Sequence, residues 1–394
     1  MDVSYSPVEG KSKSYKLLVA VVAALALLGL VSFGVSYIEG HQVFGANNAV
    51  PWGMPIILFV YFIGLSAGSL ILSSLTYVFG REEYKPIARL AVFTAVLLIF
   101  GAMLFIAVDL GRPEKFWRLF MFFYLNNMAS MFAINGILYG GYFVLSLIYF
   151  GFIVANKPRF IRIIGTIAVI WAIMVHTGTG TIWGVVASRE IYYSPIKPFE
   201  FLAAAITSGT GLLILVVTAT LYFTKRTIDK KLLLSLARLL AIVIVVLLVM
   251  VFFDKLIHAY FPAREGTMFL FTGPYWWLFW CLQIGMGIVI PLVILFHPRA
   301  GKSVKGVLIA SASVVIGVLG ERAALVIPGT AQVQQLYPGT IEGIWGTVGT
   351  FSITFWETAL SIGVIALAAL PFVLGLKYLE ILPAGESSKA AKQE

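Results

Sequence analysis

Ten long apolar runs constrain this chain more than any other feature of its sequence. They cover about residues 15–37, 53–79, 87–109, 129–155, 161–186, 200–223, 232–258, 273–296, 306–328 and 351–375. Each reaches the ~20 residues that an α-helix needs to cross a bilayer. In hydrocarbon the backbone must satisfy its own hydrogen bonds, so runs of this kind fold as helices. Only 12% of the residues are charged, against roughly 25% in a soluble domain. The expected fold class is therefore all-α: a polytopic membrane protein of ten transmembrane helices, with no soluble domain. The basic N-terminus leads into a first run without a clear small-residue cleavage site, which predicts an uncleaved span rather than a removed signal peptide.

The basic residues give the orientation. Lys11, Lys13 and Lys16, the 2–3, 4–5, 6–7 and 8–9 connections, and the tail together hold 20 of the 28 Lys and Arg. By the positive-inside rule this side is cytoplasmic. Segment 1–14 and tail 376–394 are then cytoplasmic, and 15–375 is the membrane domain. The net charge of +10 is thus topological and gives no argument for nucleic acid. The lone Cys281 excludes an internal disulfide and a cysteine-ligated iron–sulfur cluster of the chain's own.

A faint internal repeat relates spans 2–5 (53–186) to spans 6–9 (200–328). Gly68 with Leu70-Ile71-Leu72 resembles Gly211 with Leu213-Ile214-Leu215, and His176 and Glu321 each lie 15 residues into their spans. Both halves enter the membrane in the same sense, so the repeat predicts two parallel four-helix bundles with 15–37 and 351–375 as flanking spans. Chance similarity among apolar helices is the competing explanation.

Against this apolar background the ionisable residues stand out. Asp109, His176, Asp254, Lys255, Glu321, Arg322 and Glu357 fall near the same ends of their runs, on the side opposite the basic loops. Polar groups in hydrocarbon are costly and mark pathways or sites, so one chemical surface is expected at one depth.

Within that set, Asp109-Leu110-Gly111-Arg112-Pro113 closes the third span, with Arg112 placed to pair with Asp109 if the helix persists and Pro113 to stop it. An interfacial ion pair and a poised proton acceptor are both compatible with it. His176 lies ~22 Å from the inner end of its span, and Thr177-Gly178-Thr179-Gly180-Thr181 leaves room beside it. An imidazole there can hydrogen-bond a quinone carbonyl and relay its proton. Asp254 and His258 share a helix face with Lys255 beside them. With Glu321, Arg322 and Glu357 they form either a proton path or salt-bridged helix ends. Trp52 reads as an interface anchor, and Gly64 and Gly68 after Tyr61 make a small-residue seam. Of the four histidines only His176 and His258 could pair around a haem, and their depths differ by several residues. No haem and no metal are expected.

These residues resemble the NrfD family, the membrane subunits of polysulfide reductases and related complexes. The resemblance rests on Trp52-Gly53 entering a Gly64…Gly68 span, on Asp109-Leu110-Gly111-Arg112-Pro113, and on His176-Thr177-Gly178. Ser194-Pro195…Pro198…Phe201, with Ser208-Gly209, adds to it. Tyr337-Pro338 and Glu357 are similar to the ten-span branch, and the likeness covers about residues 45–375. It implies a haem-free quinone or menaquinone subunit in a prokaryotic plasma membrane. Its implied partners are an extracytoplasmic ferredoxin-like iron–sulfur subunit and a molybdopterin catalytic subunit. It assigns no role to Glu321-Arg322.

The expectation is a quinol-oxidising subunit. Quinol would bind between the outer ends of spans 2–5, bonded by His176 and Asp109 with Arg112 tuning Asp109. Trp52, Tyr61, Gly64 and Gly68 would line the pocket. The 110–127 and 329–350 connections would dock the partner. A secondary transporter is the rival from another class, against which stand the one-sided charges and the lack of paired broken helices. A purely structural anchor would leave His176 without a reason.

Overall fold

Short polar residues and prolines punctuate the apolar runs and set where each helix begins. Ser12, Ser130, Ser303 and Thr354 are N-caps whose hydroxyls accept a first-turn N–H. Pro55, Pro86, Pro158 and Pro198 occupy first-turn positions where no N–H is needed. The computed structural model describes residues 3–118, 121, 129–227, 229–260, 264–333 and 343–384. Among these, ten helices are long and apolar enough to cross a membrane. The protein is an all-α, multi-pass membrane protein.

The helices are α1 Lys13–Glu39, α2 Met54–Tyr77, α3 Lys85–Asp109, α4 Met131–Val154, α5 Pro158–Gly184 and α6 Lys197–Phe223. They continue with α7 Lys230–Tyr260, the short α8 Glu265–Thr272, α9 Leu278–Phe296, α10 Val304–Ala331 and α11 Phe355–Tyr378. The first part of α9, Leu278–Val289, is wound as a π-helix. Residues 119, 120, 122–128 and 334–342, which include the middle of each of the two connections expected to dock a partner, lie outside the described residues.

Packing follows a ring pattern. α2, α3, α4 and α5 close one ring of contacts, and α6, α7, α9 and α10 close another. α2 lies against α6 and joins the two rings, while α1 and α11 pair at the side and lean on α3. Because α2 touches α3, α5, α6, α10 and α11, it is buried nearly all round. This explains a run that is apolar on every face. Where α2 crosses α6, a Cβ on Gly68 would sit 2.1 Å from the Ala205 carbonyl oxygen, and one on Gly209 would sit 2.5 Å from Gly68 Cα. The backbones meet with no side chain between them. Gly29 against Gly363 and Gly287 against Gly317 repeat the device in the α1–α11 and α9–α10 pairs.

The two chain ends meet at one pole, here the basic pole. Tyr5–Ser6 pairs antiparallel with Leu382–Pro383. Arg226 donates to the carbonyls of Ser6, Pro7 and Pro383. Arg89 lies 3.9 Å over the Tyr5 ring and donates to Glu380 at 2.8 Å.

At the other pole, Glu357 of α11 fixes the start of α2. The Gly53 cap has no side chain to offer, and Glu357 instead accepts from Met54 N at 2.7 Å and Gly45 N at 3.2 Å.

Two stability effects are expected. Gly68→Ala forces the α2–α6 crossing apart and should destabilise the detergent-solubilised protein by about 1–3 kcal/mol. Gly34→Ala and Gly151→Ala, where nothing lies within 4 Å, should leave the thermal midpoint in place. Glu357→Ala strands two backbone donors and should cost roughly 1–3 kcal/mol on the same assay, with Glu357→Gln between the two.

Candidate functional site

Polar residues enter α5 without breaking it because Thr177, Thr179 and Thr181 each return their hydroxyl to the carbonyl four residues back, at 2.6–2.9 Å. His176 has no such recourse. Its ring is 0% exposed, and neither nitrogen has a hydrogen-bond partner. It faces Gly64 of α2, where a Cβ would lie 3.5 Å from Nε2, and stands 6.4 Å from the Phe201 ring of α6. An unpaired buried polar group costs about 1–3 kcal/mol, so an imidazole with two free nitrogens is a candidate for a ligand contact. Two turns nearer the helix end, Trp183 meets Trp52 at 5.2 Å and Tyr192 at 4.8 Å, closing an aromatic cover over this position.

Arg322 approaches Phe201 from α10. Its guanidinium lies 4.0 Å over the ring and donates to Glu321 at 3.1 Å, with Nε and Nη2 unpartnered. His176 and Arg322 therefore converge on one aromatic ring where the two bundles meet.

Beyond Phe201 the second bundle holds an ionic cluster. Lys197 donates to Glu200 at 2.8 Å and to Asp254 at 3.3 Å; Lys255 reaches Asp254 at 2.9 Å, and Ser194 donates to Asp254 as well. Lys197, Glu200, Phe201, Lys255, Gln283 and Glu321 line a small cavity. Three cations (Lys197, Lys255, Arg322) face three carboxylates (Glu200, Asp254, Glu321), so the buried charges can compensate one another, as burial requires. Gln283 comes from the π-wound part of α9, a geometry frequent at functional sites. His258 sets both ring nitrogens 2.6 Å from carbonyl oxygens, those of Asp254 and Tyr193.

The structure places the predicted residues in two layers rather than at one depth. Asp109 ends α3, whereas His176 lies eight residues (~12 Å) and Glu321 ten residues (~15 Å) from their helix ends. The expected Asp109–Arg112 pair does not form. Gly111 takes φ +67° and ends the helix before a further turn, so Arg112 swings away to Glu114 at 3.7 Å. Asp109 and His176 are not bonded, because α3 and α5 face each other across the first bundle rather than side by side. Tyr61 spends its hydroxyl on Val315 of α10 at 2.7 Å, and the α6 backbone fills the space at Gly68. Glu357 commits both oxygens to backbone N–H groups rather than to a proton path.

Asp254, Lys255, His258, Glu321 and Arg322 do share the second bundle, but sequence reading missed Lys197, Glu200 and Gln283 and gave Ser194 no role beyond the family resemblance. A span drawn from residue 200 left Lys197 in a connection. The signal present was an i,i+3 Lys–Glu pair at a Pro-marked helix start. Among the described residues no group of three or more His, Cys, Asp or Glu is arranged to hold a metal ion.

Comparison with known proteins agrees with this architecture. A family profile described as Polysulphide reductase, NrfD matches residues 42–334. The Hdr-like menaquinol oxidoreductase integral membrane subunit of Archaeoglobus fulgidus is 36% identical over 97% of this chain and 98% of its own length. A selenate reductase subunit of Mesobacillus selenatarsenatis is 28% identical over 93% and 94%. The menaquinone reductase integral membrane subunit of Nitratidesulfovibrio vulgaris is 25% identical over 88% and 86%. With ten spans, a profile match over most of its length and a relative 36% identical along nearly the whole chain, the protein belongs to the NrfD family of membrane subunits.

Proposed function

We propose that this protein is the quinone-handling membrane subunit of a respiratory oxidoreductase, oxidising quinol and passing the electrons to an iron–sulfur subunit outside the cytoplasm. The observation that carries the reading is His176, an imidazole with two free nitrogens inside an apolar bundle. Relatives named as a menaquinol oxidoreductase subunit and a menaquinone reductase subunit support the quinone.

Quinol oxidation gives quinone, two electrons and two protons. A neutral imidazole accepts a hydrogen bond from one quinol hydroxyl and takes its proton as the electrons leave. Gly64 sets no side chain against the His176 ring, and Trp52 with Trp183 covers this position from water. Arg322, with two unused donors, is placed to stabilise negative charge that develops on the other side of Phe201. Glu321, Asp254, Lys255 and His258 hold a charge-compensated chamber in which a released proton can rest. Asp109, at the rim, serves exchange with water. The partners are the ferredoxin-like iron–sulfur subunit and, beyond it, a molybdopterin enzyme. The basic pole faces the cytoplasm of a prokaryotic cell.

His176→Ala should lower quinol oxidation by the purified complex by about 10²-fold or more, with partner subunits still co-purifying. Undiminished turnover in an intact complex would falsify the assignment of His176.

A further inference from the structure

The cations of the basic pole do not all have work inside the molecule. Arg89 and Arg226 are spent on the chain's own ends, and Lys85 pairs with Glu82 at 3.2 Å. The turns between α4 and α5 and between α9 and α10 differ. Lys157, Arg159 and Arg162 stand in the first, Arg299, Lys302 and Lys305 in the second, and all six are exposed. None of their side chains has an ion pair, hydrogen bond or ring contact among the described residues. Carboxylates are missing along the chain as well, since residues 115–189 and 266–320 hold no Asp or Glu. Each turn therefore carries three positive charges that its own hairpin cannot neutralise.

The two triplets match in register. Arg159 and Lys302 are 143 residues apart, as are Arg162 and Lys305, and this is the spacing of Gly68 and Gly211; Lys157 and Arg299 are 142 apart. They lie at the basic ends of α5 and α10, the helices that bear His176 and Glu321. The positive-inside rule asks for charge on this side of the membrane and sets no positions within a turn. Beside both triplets the surface turns apolar. Phe160, 49% exposed, stacks on Phe152 at 5.0 Å, and Phe296 is 67% exposed. Exposed Ile163, Ile167 and Ile170 continue along α5, and exposed Ile309 and Ile316 along α10. A cationic head followed by an apolar track complements an anionic amphiphile. A free phosphate or a soluble acidic protein would use the first part and not the second.

We propose that each of these turns binds the head of one anionic phospholipid from the leaflet at the basic pole, with the acyl chains laid along α5 or α10. The guanidinium groups can take two phosphate oxygens at once, and the lysines add point charges around them. A Lys or Arg close to an anionic lipid surface contributes roughly fivefold in affinity, so three together give about 10²-fold. The two lipids occupy corresponding places in the two bundles. They fix the depth of α5 and α10 from the end opposite to His176 and Arg322. The inference needs no quinone, and it holds or falls independently of the redox reading above.

The test takes the purified complex, stripped of lipid in mild detergent, and titrates it with phosphatidylglycerol or phosphatidylcholine while native mass spectrometry counts the lipids retained. Phosphatidylglycerol should bind at least tenfold more tightly than phosphatidylcholine. The variant Lys157→Gln/Arg159→Gln/Arg162→Gln should retain one phosphatidylglycerol fewer than wild type, with affinity at that site down about 10²-fold. Arg299→Gln/Lys302→Gln/Lys305→Gln should lose one as well, and the combination two. Lys11→Gln/Lys13→Gln/Lys16→Gln, which removes as much charge from the same pole, should lose none. Equal retention of the two lipids by the wild-type complex overturns the proposal without any variant. So does a loss in the Lys11/Lys13/Lys16 variant equal to that in the turns, which would assign the binding to the charge of the whole pole. Displacement of the lipid by inorganic phosphate at the same concentration would make the turns phosphate sites and overturn the lipid.

Discussion

The crossing of α2 and α6 on bare backbone, Gly68 against Gly209, is the contact on which the rest depends. In lipid there is little hydrophobic drive for helices to associate, so association relies on close van der Waals fit and small residues. With this crossing so tight, the turns of α2, α5, α6 and α10 around Phe201 come within a side chain of one another. Phe201 then touches on one side the histidine of the first bundle and on the other the arginine of the second. A larger residue at either glycine would part the bundles, and the neutral polar interior of the first and the ionic cluster of the second would lose their common wall.

The bundles handle buried polarity in opposite ways. The second gathers full charges into a compensated cluster around Asp254, where pairing offsets the desolvation of each ion. The first contains His176 and the buried neutral side chains of Asn135, Tyr139, Tyr142, Ser146 and Tyr149 on α4, and no internal ion pair among the described residues. The shared fold thus carries two electrostatic temperaments, divided at Phe201.

Much of this was legible in the letters. Span number, helix class and the singularity of His176 follow from the cost of polarity in hydrocarbon, which is large enough to leave a mark in any sequence. Asp254, Lys255 and Glu321 were visible for the same reason. What stayed hidden depended on a turn or on a partner helix. A single left-handed residue, Gly111, separated Asp109 from Arg112, and no spacing rule reports whether a helix survives one more turn. Glu357 looked like an ion in a membrane until the uncapped start of α2 lay beside it. The tyrosines of α4 were unremarked because aromatic residues in a span read as apolar, and only partners on neighbouring helices, Thr179 of α5 for Tyr139 and Ser66 of α2 for Tyr142, give their hydroxyls a direction.

The pairing of Tyr5–Ser6 with Leu382–Pro383 carries a consequence for how the molecule is made. The first helix emerges from the ribosome long before its strand partner, and its main neighbour, α11, is the last span to be synthesised. During biogenesis α1 must therefore wait in lipid, unpaired, until every later span has been threaded. Contacts of such long range form late and slowly. The arginines at the basic pole that bind the final segment, Arg226 and Arg89, then act as a latch on completion. A polypeptide ending before residue 380 would hold both bundles and yet leave Arg226 and Arg89 without their contacts to the last segment.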